Sequence, residues 1–167
     1  MSKNKSILIV LTAIIFAVTS VWILFQPKET DVYFSALRPY ASYAPVLTSR
    51  PTTCNVTAKS LPSIPSELVS DFLQANSTSA KSISLKALTE KFAVMDSSKQ
   101  KNQQLIDISS NRKIFDPRML VYLSRVGYNK NHSEALFCVK GLGIGLFHLR
   151  YQNDRWQQVQ MITTGII

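Results

Sequence analysis

The chain is poor in the residues that most reactions need. It has two cysteines, two histidines and five glycines in 167 residues. No CxxC occurs and neither histidine lies at ligand spacing from a cysteine, so no metal centre is expected. The stretch GLGIG, from Gly141 to Gly145, lacks the Lys-Ser/Thr that completes a phosphate loop, and it runs into a strand-like segment rather than a helix; no cofactor is expected. No serine sits in a Gly-x-Ser-x-Gly elbow. Basic residues are never clustered: Arg112-Lys113 is the one adjacent pair, and aromatics are not interleaved with arginine, which argues against a nucleic-acid partner. Acids are scarce, ten against nineteen Lys and Arg, for a net charge of +9.

Long hydrophobic runs are also missing, with one exception. Ile7 to Phe25, ILIVLTAIIFAVTSVWILF, carries no charge. As a helix at roughly 1.5 Å rise per residue it would cover about 28 Å, close to the hydrocarbon thickness of a bilayer, with Trp22 at headgroup level. The expectation is that residues 1–25 form a short cytoplasmic N-terminus and a transmembrane anchor. The alternative is a cleaved signal peptide read at Val18-Thr19-Ser20, although that cut leaves a greasy VWILF terminus, and a cut after Ala36 has bulky Phe34 in the way. Lys3 and Lys5 precede the run with no acid, whereas Lys28 is followed at once by Glu29 and Asp31. The positive-inside tendency then leaves the N-terminus in the cytoplasm and exports the rest. Seventeen of the nineteen basic residues and all ten acids lie beyond Phe25, which leaves that part at +7. Such a charge suits an envelope protein partner, anionic lipid or an anionic envelope polymer, or it is simply a solvated surface. In an oxidising exterior Cys54 and Cys138 could close a long loop and add up to about 4 kcal/mol; otherwise they are two small apolar residues, Cys138 within a strand.

Residues 26–62 recur to proline at 27, 39, 45, 51 and 62, a density that blocks long helices and central strands. The stretch reads as a tether, although Tyr33, Phe34, Tyr40 and Tyr43 are too many aromatics for a pure spacer. The domain proper is expected over 63–167. SIPSELVSDFLQANS, Ser63 to Ser77, is its clearest helix: Ile64, Leu68, Phe72 and Leu73, with Val69, make one apolar stripe. Residues 83–108 are ambiguous between helix and strand.

The last third alternates apolar and polar positions in four runs, 119–128, 134–140, 146–152 and 155–163, separated by the turns NKNHS, GLGIG and NDR. Consecutive strands with short loops make an antiparallel meander, and the helix before it can cover one face. The expected fold is α+β: a transmembrane helix, then an amphipathic helix packed on an antiparallel meander of about four strands.

LSRVGYNKNHSEAL, Leu123 to Leu136, falls where the first strand turns into the second. Gly127 permits a bulge there, and Arg125 could pair with Glu134 across the hairpin. Together with SEALFCVKG and GIGLFHLRYQNDRWQQVQ, this stretch resembles a family of small bacterial envelope proteins. Their exported domains share a Ser-Arg-Val-Gly-Phe/Tyr-Asn strand, an Ala-Leu strand, a Gly-rich turn and a Trp-bearing hairpin. The resemblance covers residues 63–163 loosely and 121–159 well, and touches Ser124, Arg125, Val126, Gly127, Tyr128, Asn129, Ala135, Leu136 and Trp156. It departs at Asn153-Asp154-Arg155, where a Gly-containing turn is usual, and at His148, where Tyr is common. It implies an exported location and the fold, and no activity.

The expected function is therefore a non-catalytic binding or assembly module in the cell envelope. Arg125, Tyr128, Asn129 and Trp156 are its candidate binding residues, a cation and aromatics grouped where strands turn. The alternative is a hydrolase using Ser124 with His132 or His148 and Asp154 or Asp116 as orienting acid. A pilus-type subunit fits less well, because the apolar run lacks the processing Gly followed by Phe and Glu.

Overall fold

The computed structural model describes residues 27–77, 82–95, 105–106, 113–114, 120–141 and 144–165. Helix α1, Glu29–Leu37, lies inside the proline-rich stretch, bracketed by Pro27 and Pro39. Its Val32, Tyr33, Ala36 and Leu37 return on one face every helical turn and all are buried. A 3-10 turn over Arg38–Tyr43 leads to strand β1, Val46–Thr48. Helix α2, Ser66–Ala75, buries Leu68, Val69 and Phe72 and leaves Leu73 exposed. Strand β2 is Ala93–Met95, and β3, Leu105–Ile106, pairs only with β4, Lys113–Ile114, among the described residues. The last third holds β5, Leu120–Leu123; β6, Gly127–Tyr128; β7, Glu134–Lys140; β8, Ile144–Gln152; and β9, Arg155–Gly165.

These strands, β3 and β4 apart, form one seven-stranded sheet in the order β2-β1-β5-β7-β8-β9, with β6 also on β7. β1 runs parallel to both neighbours, Leu47 standing opposite Val94 and Val121. The remaining pairings are antiparallel. Asn153 and Asp154, at φ of 52° and 58°, make the two-residue left-handed turn between β8 and β9, a conformation these two side chains tolerate without glycine.

Every residue from Ala135 to Val139 is buried because both faces of the sheet are covered. Ala135, Phe137, Val139, Phe147 and Leu149 pack with the buried face of α1. Leu136, Cys138 and Leu146 point the other way and pack with α2. Tyr33 meets Phe137 edge-on at 5.0 Å, and Phe137 stacks on Phe147 at 5.3 Å.

The expected architecture is corrected accordingly. The sheet is mixed and seven-stranded, not a four-stranded antiparallel meander, because the chain before α2 returns as a central parallel strand. A helix covers each face, where one was expected on one face. Among the described residues no helix is long and apolar enough to cross a membrane, so the N-terminal transmembrane helix is not part of the described fold. The run 7–25 on which it was read lies outside the described residues.

Cys54 and Cys138 form a disulfide with Cα atoms 6.2 Å apart, within the usual span for such a bond. It ties the irregular segment after β1 to the middle of β7.

Candidate functional site

The Ser-Arg-Val-Gly sequence interrupts the strand that would otherwise continue from β5 into β6. Leu123 stands opposite Val139 and Gly127 opposite Leu136, so one extra residue is accommodated between them. A bulge at this depth leaves backbone groups without ladder partners, and side chains replace the missing bonds. The Ser124 hydroxyl accepts from the Cys138 N–H at 2.8 Å and donates to the Arg125 carbonyl at 3.0 Å. Tyr33 of α1 donates its hydroxyl to the Ser124 carbonyl at 2.6 Å. Asn76, just past α2, accepts the Arg125 N–H at 2.9 Å and donates to the Arg125 carbonyl at 3.1 Å. Glu29 Oε1 accepts both Arg125 Nε, at 2.9 Å, and the Val126 N–H, at 3.1 Å. Burial, with Glu29 beside it, pushes the Tyr33 hydroxyl well above its usual range, so it stays a donor.

Two of the four candidate binding residues are thus occupied internally. Arg125 pairs with Glu29, which corrects the expected pairing with Glu134; Glu134 is held instead by Arg150, at 2.9 and 2.7 Å. Asn129 organises its turn, its Oδ1 accepting the N–H groups of Ser133 at 2.9 Å and Glu134 at 3.0 Å. Arg125→Glu would set two carboxylates against each other, and Glu29→Ala would strip the buried Val126 N–H of its acceptor. Each is expected to cost about 2 kcal/mol in urea unfolding; an unchanged midpoint for both would refute the clamp.

The other two candidates come together. Tyr128 and Trp156 have ring centroids 6.0 Å apart, with His132 at 5.4 Å from Tyr128 and Tyr151 at 5.4 Å from Trp156. The Tyr128 hydroxyl is buried without a hydrogen-bond partner, and burial raises its pKa well above the usual phenol range. His132, Tyr151 and Trp156 of this cluster line one wall of a groove of about 1190 Å³, and Tyr128 packs behind them outside its lining. The opposite wall is the outer face of α1, with Asp31 and Phe34, and Arg38 at the start of the 3-10 turn, continued by Glu90 and Lys91 from the turn before β2. The β8–β9 hairpin contributes Asp154 and Arg155, and the remaining cations of the lining include Lys28. Three acids therefore face four Lys or Arg, so the groove carries both signs rather than the basic excess of the chain as a whole. Sequence reasoning found Trp156 but missed the α1 wall, because α1 itself was hidden among prolines.

Of the residues proposed for hydrolysis, Ser124 and His148 are buried, His132 and Asp154 line the groove, and Asp116 lies outside the described residues. Ser124 is 0 % exposed, with its proton and a lone pair both engaged by backbone. His148 is 3 % exposed and neither ring nitrogen has a hydrogen-bond partner, Glu134 Oε2 standing 3.6 Å away. His132 lies at the 129–133 turn with φ of 54°. Among the described residues no group of three or more His, Cys, Asp or Glu could hold a metal ion.

Burial lowers the His148 pKa from 6.5, outweighing the attraction of Glu134, and Arg150 lowers it further. The folded chain then binds fewer protons at this site than the unfolded chain below pH 6.5, so stability falls as pH drops through the ordinary histidine range. The loss levels off below the folded pKa. His148→Leu is expected to flatten that part of a stability–pH profile; an unaltered slope would show that His148 does not cause it.

No protein-family profile, curated protein or solved structure matches the chain.

Proposed function

We propose that the folded domain is a non-catalytic binding module of the cell envelope, and that it receives another envelope component along the groove between α1 and the β8–β9 hairpin. The observation that carries this reading is the composition of the groove: aromatic rings of Trp156, Tyr151 and Phe34 set among Asp31, Glu90, Asp154, Lys28, Arg38, Lys91 and Arg155. Its volume of about 1190 Å³ exceeds that of a pocket for one small molecule and suits an extended chain. Balanced charge favours a segment of a protein, with paired acids and bases, over a purely anionic polymer. Tyr151, 45 % exposed, is placed to meet it. An envelope location is supported by the disulfide, which belongs to an oxidising compartment, by the charge asymmetry around the apolar run 7–25, and by the resemblance of residues 121–159.

A photo-crosslinking side chain at Tyr151, introduced into the full chain in intact cells, tests the groove. A discrete protein adduct is expected, weakened by Arg155→Glu and absent when the crosslinker is moved to Lys59, an exposed position on a turn beside α2. Equal labelling at both positions, or no adduct at Tyr151, would overturn the proposal. An adduct with a glycan would replace the protein partner by the polymer.

A further inference from the structure

We infer that Met161 and the Tyr40 hydroxyl form a site of reversible oxidation. A hydroperoxide transfers one oxygen to the Met161 sulfur, and Tyr40 then donates to that oxygen and fastens the 38–43 turn to β9. The inference is independent of what occupies the groove.

Met161 lies on the outermost strand of the sheet, opposite Phe147 of β8. It is 44 % exposed, whereas Met95, the other methionine among the described residues, is 4 % exposed. The Tyr40 hydroxyl donates to the Met161 sulfur at 3.5 Å, from the 3-10 turn that follows α1. The Tyr40 ring is itself held in place, edge-on to Phe147 at 6.3 Å. Gly145 is also beside the sulfur: a Cβ there would lie 3.6 Å from Met161 Sδ and 3.5 Å from its Cγ. The missing side chain leaves room for a methyl-sized group next to the sulfur, which is the room an added oxygen needs.

Oxidation changes the quality of this contact. A thioether sulfur is a weak acceptor, so the bond from Tyr40 contributes little as it stands. Sulfur attacks one peroxide oxygen, the S–O bond forms as O–O breaks, and the proton on the transferred oxygen passes to the departing one. Sulfur is oxidised by two electrons, and the peroxide is reduced to water or an alcohol. The sulfoxide is polar, and the unbranched Met161 side chain has the torsional freedom to turn its oxygen towards Tyr40. In a core the same change would be disruptive. Here the side chain already meets water, and the new oxygen gains a donor at little cost in desolvation. The tie also reaches the groove, because Arg38 and Pro39 of the same turn line it. Methionine sulfoxide reductases reverse the step.

The full chain in a nonionic detergent, treated with dilute hydrogen peroxide, is expected to carry the added oxygen on Met161 well before Met95 in peptide mass spectrometry. Met161→Leu, treated in parallel, accounts for oxidation elsewhere. Against that control, oxidation should favour the folded state by about threefold in urea unfolding, the effect of one net hydrogen bond at a half-exposed position. Tyr40→Phe keeps the ring on Phe147 and should gain nothing from the same oxidation. A methionine sulfoxide reductase should return the parent to its starting midpoint. Met161 oxidising no faster than Met95, an unchanged or lowered midpoint in the oxidised parent, an equal gain in Tyr40→Phe, or a gain that the reductase does not reverse would each overturn the inference.

Discussion

Gly127→Ala is expected to cost the domain about 3 kcal/mol, enough to lower a urea midpoint severely. A Cβ at Gly127 would fall on the Cα and N of Phe72, with the Phe72 Cβ at 2.7 Å. These are backbone atoms of α2, so no rotamer change relieves the overlap and the whole helix has to withdraw. Withdrawal loosens the packing of Leu68, Val69 and Phe72 against β7 and pulls Asn76 away from the Arg125 backbone. The glycine is there for proximity, since the 124–126 bulge and α2 are held in contact by it. A loss below 1 kcal/mol in equilibrium unfolding would mean that α2 sits farther from β6 than described.

Opening the Cys54–Cys138 bond is expected to have the larger effect, about 4 to 5 kcal/mol from chain entropy alone for two residues 84 apart in sequence. Domains of this size are commonly stable by only 5–15 kcal/mol. The bond pins a segment with little regular structure, 49–64, whose other anchors include Val56, Leu61, Ile64 and a hydrogen bond from Thr52 N–H to the Leu123 carbonyl at 2.9 Å. Cys54→Ala/Cys138→Ala should therefore unfold at much lower denaturant than the parent, and the parent should approach it in reductant. The same cysteines test the envelope location. Alkylation of intact cells should find them already oxidised, and labelling of both as thiols would place the folded chain in a reducing compartment.

The hairpins of the last third were legible because their signals are local. Alternation and turn chemistry place β7, β8 and β9 close to where they occur, and the Asn153-Asp154 turn follows from the two residues themselves. Helix α2 was legible from its stripe, although it begins at Ser66, with Pro65 at its N-cap, rather than at Ser63. The unbroken run ALFCV in β7 is the sequence mark of a strand covered on both faces, and alternation alone conceals it. Helix α1 was missed because nine residues between prolines give a weak periodic signal, though Val32, Tyr33, Ala36 and Leu37 carry it. β1 and β2 have three residues each and depend on parallel partners far along the chain, which no local pattern encodes. The ion-pair partner of Arg125 was missed for the same reason: Glu29 is 96 residues away.

The position of β1 also governs the order of events as the polypeptide is made. Its two neighbours come from residues 93–95 and 120–123, and α1 is fastened to Ser124 and Arg125 across 91 and 96 residues. Synthesis delivers α1 and β1 first and their partners last, so neither of the two can settle until β5 and β7 have emerged. Such a polypeptide remains threadable for most of its elongation and closes in a late, concerted step.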